Sequence, residues 1–225
     1  MKVSVGSCFR NGESYIPRYI AQIDALRAAA PEHEFRMIIA EGDSSDQSYE
    51  LLKQAYNGCV FKREHGGPVF GSVDDPVRFK QSSWVWEGII ERVEPTDDAF
   101  LYLEADLIWQ PTVMLQLLKH LGRPGVDVVA PFCVRQGVQY DCWGLRGLDG
   151  NAFGPYYPYH YAMLNPSVNG LYPISTAGSC LAMKAEVAHR AHFIPADLAV
   201  VGLCRNIGSL GYKLWIDPAL KVEHP

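Results

Sequence analysis

Hydrophobic positions along this chain alternate between two periods. Lys2–Phe9 opens with Val3 and Val5 in alternation and runs into Arg10-Asn11-Gly12, the pattern of a strand followed by a turn. Between Glu13 and Ala30, Tyr15, Ile16, Tyr19, Ile20, Ile23 and Leu26 recur at helical spacing, and Pro31 stops the run. Phe35–Ala40 is a short apolar strand that leads into the polar loop Glu41-Gly42-Asp43-Ser44-Ser45-Asp46. Ser45 or Asp46 is placed to cap a helix that reaches Tyr56 and ends at Asn57-Gly58. Cys59–Lys62 predicts a third strand. A loop over 64–77 carries Gly66, Gly67, Pro68, Gly71 and Pro76. Beyond it, Phe79–Val93 predicts a helix and Phe100–Leu103 a strand. Pro111 opens another helix at a favoured first-turn position, and Val126–Ala130 reads as a further strand.

Strands and helices that alternate in this way over residues 1–130 imply an α/β fold with a mostly parallel central sheet and helices on both faces. Ligands on such sheets bind at the carboxyl ends of the strands. Asn11, Glu41 through Asp46, His65 through Gly67, and Glu104 with Asp106 all fall there. The remainder changes character. Pro131–Tyr172 is long and rich in aromatics, Gly and Pro, and a loop of that length inside a domain is usually functional. Ser175–Lys184 predicts a strand of small residues. Gly211–Glu223 predicts two short strands around Asp217-Pro218, with His224 just past them. No repeat or linker divides the chain. Residues 1–225 read as a single domain, with a nucleotide-type half over 1–130 and a substrate-type half over 131–225.

Composition narrows this picture only modestly. With 225 residues, 48% hydrophobic and 20% charged, the chain has the make-up of an ordinary globular domain. Its net charge of −5, with no basic block, argues against binding dominated by a nucleic-acid backbone. Six scattered cysteines without a C-x-x-C pair predict reduced thiols and a cytoplasmic protein rather than a zinc or redox site. No stretch approaches the roughly 20 apolar residues of a membrane span. Arg10, Asn11 and Glu13 interrupt any signal-like apolar region at the N-terminus.

The candidate chemistry centres on Phe100-Leu101-Tyr102-Leu103-Glu104-Ala105-Asp106. A buried strand that ends in two carboxylates needs something to offset their desolvation. Acids at i and i+2 on an extended chain point to the same side, so both can face one hard divalent cation.

The order of these segments resembles a glycosyltransferase of the GT-A fold, a Rossmann-like single domain. Val3–Asn11 is similar to the opening strand of the family 2 enzymes, and Glu41-Gly42-Asp43-Ser44-Ser45-Asp46 to their acidic nucleoside loop. Leu103-Glu104-Ala105-Asp106 resembles their D-x-D metal motif, with Glu in the first place. Ala177-Gly178-Ser179-Cys180-Leu181-Ala182-Met183 resembles the strand beside the donor sugar. Gly211-Tyr212-Lys213-Leu214-Trp215 with Val222-Glu223-His224 resembles the closing segment, whose His often completes the metal site. Tyr140–Gly150, preceded by Val128-Val129-Ala130-Pro131, is similar to a pattern of capsule-associated and Golgi mannosyltransferases that act with retention.

The resemblance implies a sugar transferred from a nucleoside diphosphate sugar, such as a UDP-sugar, to a hydroxyl. Glu104, Asp106 and His224 would hold the metal, with Mn²⁺ suited better than Mg²⁺ to an imidazole ligand. Glu41 or Asp43 would meet the nucleoside, one of Arg78, Lys80 and Gln81 the diphosphate, and Gly178 with Ser179 the donor sugar. Asp141, Trp143, Arg146 and Asp149 are candidates for a sugar pocket, and His160 within Tyr156–Tyr161 for an acceptor site.

One departure bears on mechanism. Inverting relatives carry Glu-Asp, with the Asp as base, where this chain has Leu198-Ala199-Val200-Val201. Asp197 and Asp141 are the remaining candidates for a base, and a retaining route needs none. The acceptor stays open among a glycan, a lipid-linked sugar, a protein and a hydroxymethylated base of phage DNA, the last not signalled by charge. A nucleotidyltransferase and a non-catalytic nucleotide-sugar-binding module are the competing readings. Ser7–Gly12 is a poor phosphate loop for the former.

Overall fold

A computed structural model describes residues 1–71, 74–141, 143–152, 170–195 and 197–225. His160, the Tyr156–Tyr161 cluster and Cys142 lie outside them. The elements follow the hydrophobic pattern closely at first. They are β1 (Lys2–Phe9), α1 (Ile16–Ala29), β2 (Glu34–Glu41), α2 (Ser48–Ala55), β3 (Val60–Lys62), α3 (Pro76–Ile90), β4 (Ala99–Leu103) and α4 (Pro111–Leu121). After them come β5 (Val128–Arg135), β6 (Val138–Gln139), β7 (Arg146–Gly147), β8 (Tyr172–Thr176), β9 (Cys180–Lys184), α5 (Ala185–Arg190), α6 (Ala199–Ser209) and β10 (Leu214–Glu223).

Among the described residues these strands form one ten-stranded sheet, ordered β3-β2-β1-β4-β9-β5-β10-β8-β7, with β6 paired to β5. The β3-β2-β1-β4 portion is parallel. β9 runs antiparallel between β4 and β5, and β10 is parallel to β5. Alternation along β4 feeds two cores. Phe100 and Tyr102 join the cluster under α3, α5 and α6, while Leu101 and Leu103 join the cluster under α1, α2 and α4. Gly6 lets α3 approach the sheet, because a Cβ there would lie 2.5 Å from Ile89 and 2.6 Å from Phe100.

Three expectations change. Ser175–Lys184 is not one strand: β8 and β9 are separated at Ala177-Gly178-Ser179, where Ser179 takes a left-handed φ of 60°. That break lets β8 pair with β10 while β9 turns back between β4 and β5. Gly211–Glu223 is a single strand, not two, and its register against β5 shifts between Asp217 and Lys221, around the proline that lacks an N–H. α2 begins after Gln47 rather than at Ser45 or Asp46, with Asp46 Oδ1 accepting from Ser48 N at 3.0 Å inside the first turn. α5 and α6 escape a reading by pattern. α6 (AVVGLCRNIGS) starts without a side-chain cap and carries two glycines.

Candidate metal centre and its surroundings

Three loops meet where β4 ends. Glu104 N donates to Ser179 O at 3.0 Å, which ties the end of β4 to the turn before β9. Ile108 and Glu223 exchange both backbone hydrogen bonds at 2.8 Å, so the residues after Asp106 form a bridge with the end of β10. His224 follows, its N–H donating to Val134 O at 2.8 Å. Backbone pairing thus carries the imidazole that follows β10 to an acid more than a hundred positions earlier. His224 Nε2 lies 3.3 Å from Asp106 Oδ2. Donor atoms of Glu104, Asp106 and His224 all lie within 4.8 Å of one another.

The charges in this cluster oppose one another. Burial, and then the Asp106 carboxylate, push Glu104 up to about 7; the Ser179 hydroxyl and the Arg78 guanidinium work the other way. His224 Nδ1 sits 3.3 Å from the main-chain oxygen of Pro225, and its Nε2 faces the Asp106 carboxylate. Two carboxylates held this close repel one another unless a cation or a proton lies between them. Two carboxylates and one imidazole are a donor set that suits Mn²⁺, so the residues fit a divalent ion.

Side chains outside the triad hold it in place. From α1, Arg18 donates to Asp106 O at 2.6 Å and Gln22 to Leu107 O at 3.1 Å. The Tyr140 ring stacks on His224. None of these was singled out in the sequence. The signal for Arg18 and Gln22 is their i, i+4 spacing on one helix; nothing local marks Tyr140.

The remaining predicted residues fall into three groups. At the end of β2, Glu41 is 1% exposed, and its Oε1 accepts from Ser44 N at 3.0 Å. Asp43, at a φ of 58°, is more open, and its Oδ2 accepts from the backbone N–H groups of His65 at 2.8 Å and Gly66 at 3.1 Å. Burial works against its ionisation, but these N–H groups outweigh it and hold Asp43 below the usual carboxylate range. Asn11 joins this loop to β1 through Ser44 and Ser45. Arg10 is taken up by the carbonyls of Gly67 and Pro68.

On α3, the N-cap Asp75 accepts from Val77 and Arg78 N. Half-buried Arg78 acts on Glu104, Gln81 abuts Gly67, and Lys80 is exposed.

The third group surrounds the β8–β9 break. Asp141 Oδ1 accepts from Gly144 N at 2.7 Å, and a Cβ on Gly178 would lie 2.6 Å from Asp141 Oδ2. Burial raises Asp141 although the N–H groups of Gly144, Gly178 and Leu145 and the charge of Arg146 oppose it. Trp143 projects from this loop and is 68% exposed, while Asp149 Oδ1 accepts from Asn151 N. Asp197 stands apart, its two oxygens 2.9 and 2.7 Å from Arg205 Nη1.

No family model matches the chain, and no curated protein matches its sequence. Solved structures do match its fold. GalNAc-T7 with UDP, GalNAc and Mn²⁺ superposes at a TM-score of 0.61 and 14% identity, covering 99% of this chain and 43% of its own. Glucosyl-3-phosphoglycerate synthase from Mycobacterium tuberculosis, in complex with Mg²⁺ and UDP, gives 0.59 at 16% identity, covering 100% and 71%. Residues 1–349 of S. aureus TarS give 0.60 at 12%, covering 96% and 58%. The fold is that of the GT-A glycosyltransferases. The chain spans between less than half and about seven-tenths of the length of these structures.

Proposed function

We propose that this protein is a metal-dependent glycosyltransferase that moves a sugar from a nucleoside diphosphate sugar to a hydroxyl acceptor. The observation that carries the proposal is the convergence of Glu104, Asp106 and His224 at the carboxyl end of a central strand. Two of the solved structures of the same fold contain UDP together with Mn²⁺ or Mg²⁺, which supports UDP as the nucleotide. A divalent ion, when bound, stabilises the charge that develops on the leaving diphosphate. Residues 1–130 would form the nucleotide half. There Asp43 offers acceptor oxygens to ribose or base, Glu41 shapes the loop, and Arg78 is the cation beside the diphosphate. Residues 131–225 would form the sugar and acceptor half, with Trp143 a platform for a pyranose face and Gly178 and Ser179 lining the donor sugar.

We infer retention as the stereochemical course. Asp197 is paired with the Arg205 guanidinium, and Asp141 is spent on backbone N–H groups. Neither is free to take the acceptor's proton. In a front-face route the leaving phosphate oxygen takes that proton as the glycosidic bond forms on the side from which the diphosphate departs.

Thermal shift against nucleoside diphosphates and their sugars, with and without Mn²⁺, tests the reading, because a ligand of the native state raises stability by RT ln(1 + [L]/Kd). A metal-dependent rise with a UDP-sugar is expected; no rise with any nucleotide would overturn it. Proton NMR of the product of an α-linked donor then separates retention (α) from inversion (β).

A further inference from the structure

A cleft of about 490 Å³ lies between α3 and the segment that joins α5 to α6, with Gln81 also on its wall. One wall is a face of α3 built from Lys80, Ser83, Trp84 and Glu87, which recur at helical spacing. The facing wall is the ascending segment of His192, Phe193 and Pro195 between α5 and α6. Its size falls within the roughly 300–1,000 Å³ of small-molecule sites.

Two observations point to a ligand. Trp84 is a large apolar side chain left 40% exposed, yet it is pinned: the Arg63 guanidinium stacks on its ring at 4.0 Å, and Arg63 Nε donates to its carbonyl at 3.2 Å. A fixed, half-bare indole costs little to organise on binding. Beside it, Ser83 is 3% exposed, and its hydroxyl is buried with no hydrogen-bond partner. An unsatisfied hydroxyl on the wall of a cleft is the kind of group a ligand completes.

The walls are rigid for reasons independent of any ligand. Glu87 accepts from Phe193 N at 2.9 Å and pairs with His192 Nδ1 at 2.9 Å, which clamps the 192–195 segment to α3. Phe193 also packs against Trp86 and Tyr102. With Glu87 engaged, Lys80 is the remaining charge, and it sits on the exposed rim. His65 also lines the cleft, and its backbone N–H donates to Asp43 of the proposed nucleoside loop, so the cleft adjoins that loop.

We propose that this cleft binds an uncharged pyranose, its apolar C–H face on Trp84 and a hydroxyl on Ser83 Oγ. Placing that sugar on the acceptor side rests on the transferase reading; the binding itself does not.

The test uses the full chain labelled with fluorotryptophan, without metal or nucleotide. Methyl glycopyranosides of glucose, galactose, mannose and N-acetylglucosamine are titrated by fluorine NMR. The Trp84 resonance, identified by its loss in Trp84→Phe, should move saturably with at least one of them. Ser83→Ala should weaken that titration by about tenfold. No movement with any glycoside, equal movement with uridine, or unchanged affinity in Ser83→Ala would overturn the proposal. Because the assay contains neither donor nor metal, a negative result here leaves the transferase reading standing, and the failure of that reading leaves this titration interpretable.

Discussion

The imidazole of His224 lies face to face with the phenol ring of Tyr140, the centroids 4.2 Å apart and the planes inclined by 22°. The stack fixes the ring of the one nitrogen donor in the candidate metal cluster. Tyr140 itself is placed by its N–H, which donates to Cys133 O at 2.9 Å on β5. Tyr140→Ala is expected to weaken Mn²⁺ binding by about tenfold, the scale of losses when a support behind a metal ligand is removed. Tyr140→Phe keeps the stack and should bind as wild type. Calorimetric titration of Mn²⁺ into the three proteins decides the matter, and equal affinity throughout would refute the positioning role.

Glu104→Gln should separate stability from function. It removes a charge that burial and Asp106 both oppose, so the metal-free protein should gain on the order of 1–3 kcal/mol at neutral pH. The same variant should lose its stabilisation by Mn²⁺ and UDP. Chemical denaturation with and without these ligands reads both effects. A metal-free loss of stability would contradict the charge argument.

Gly178→Ala should disturb the site through Asp141. The added Cβ would sit 2.6 Å from Asp141 Oδ2, and overpacking of this kind costs about 1–3 kcal/mol. Asp141→Ala relieves the clash, so a double-mutant cycle should show strong favourable coupling. Additive losses would mean that the two residues act independently.

Acid stability should depend on Asp97, far from the metal cluster. Its carboxylate accepts from Ser4, Arg36 and Glu94 N, and although burial opposes ionisation, these partners hold it below its usual value near 3.8. A carboxylate of this kind contributes stability that is fully present above the unfolded pKa and is lost as pH falls through the lower, folded one. Asp97→Asn is expected to cost about 2 kcal/mol at neutral pH. Its deficit against wild type should shrink at pH values below the carboxylate range. A deficit constant with pH would remove the ionic explanation.

Asp197→Asn tests the inferred stereochemical course from another side. With Asp197 paired to Arg205 rather than serving as a base, turnover should stay within about tenfold of wild type, well short of the loss expected when a general base is removed. A much larger fall, with the fold intact by circular dichroism, would make Asp197 the base.

What the sequence determined by itself is the front half of the sheet and the pair of acids. Val3 and Val5 follow a period of two, Phe100–Leu103 is an unbroken apolar run because β4 is buried on both faces, and Tyr19, Ile23 and Leu26 follow a helical period because α1 buries one face against the sheet. Glu104 and Asp106 stood out because carboxylates at the end of an apolar strand demand a partner. Local pattern could not show that Ser175–Lys184 breaks at Gly178, since the break answers to a carboxylate from a distant loop. It could not show Tyr140 behind His224, Arg18 on the carbonyl of Asp106, or the clamp from Glu87 to the 192–195 segment. Each of these contacts joins residues far apart in the chain. The Ile108–Glu223 bridge brings His224 to the end of β4, and the antiparallel insertion of β9 between β4 and β5 brings the Gly178 turn to the same place. Spacing along a chain fixes which face a side chain occupies; strand pairing decides which other face it meets.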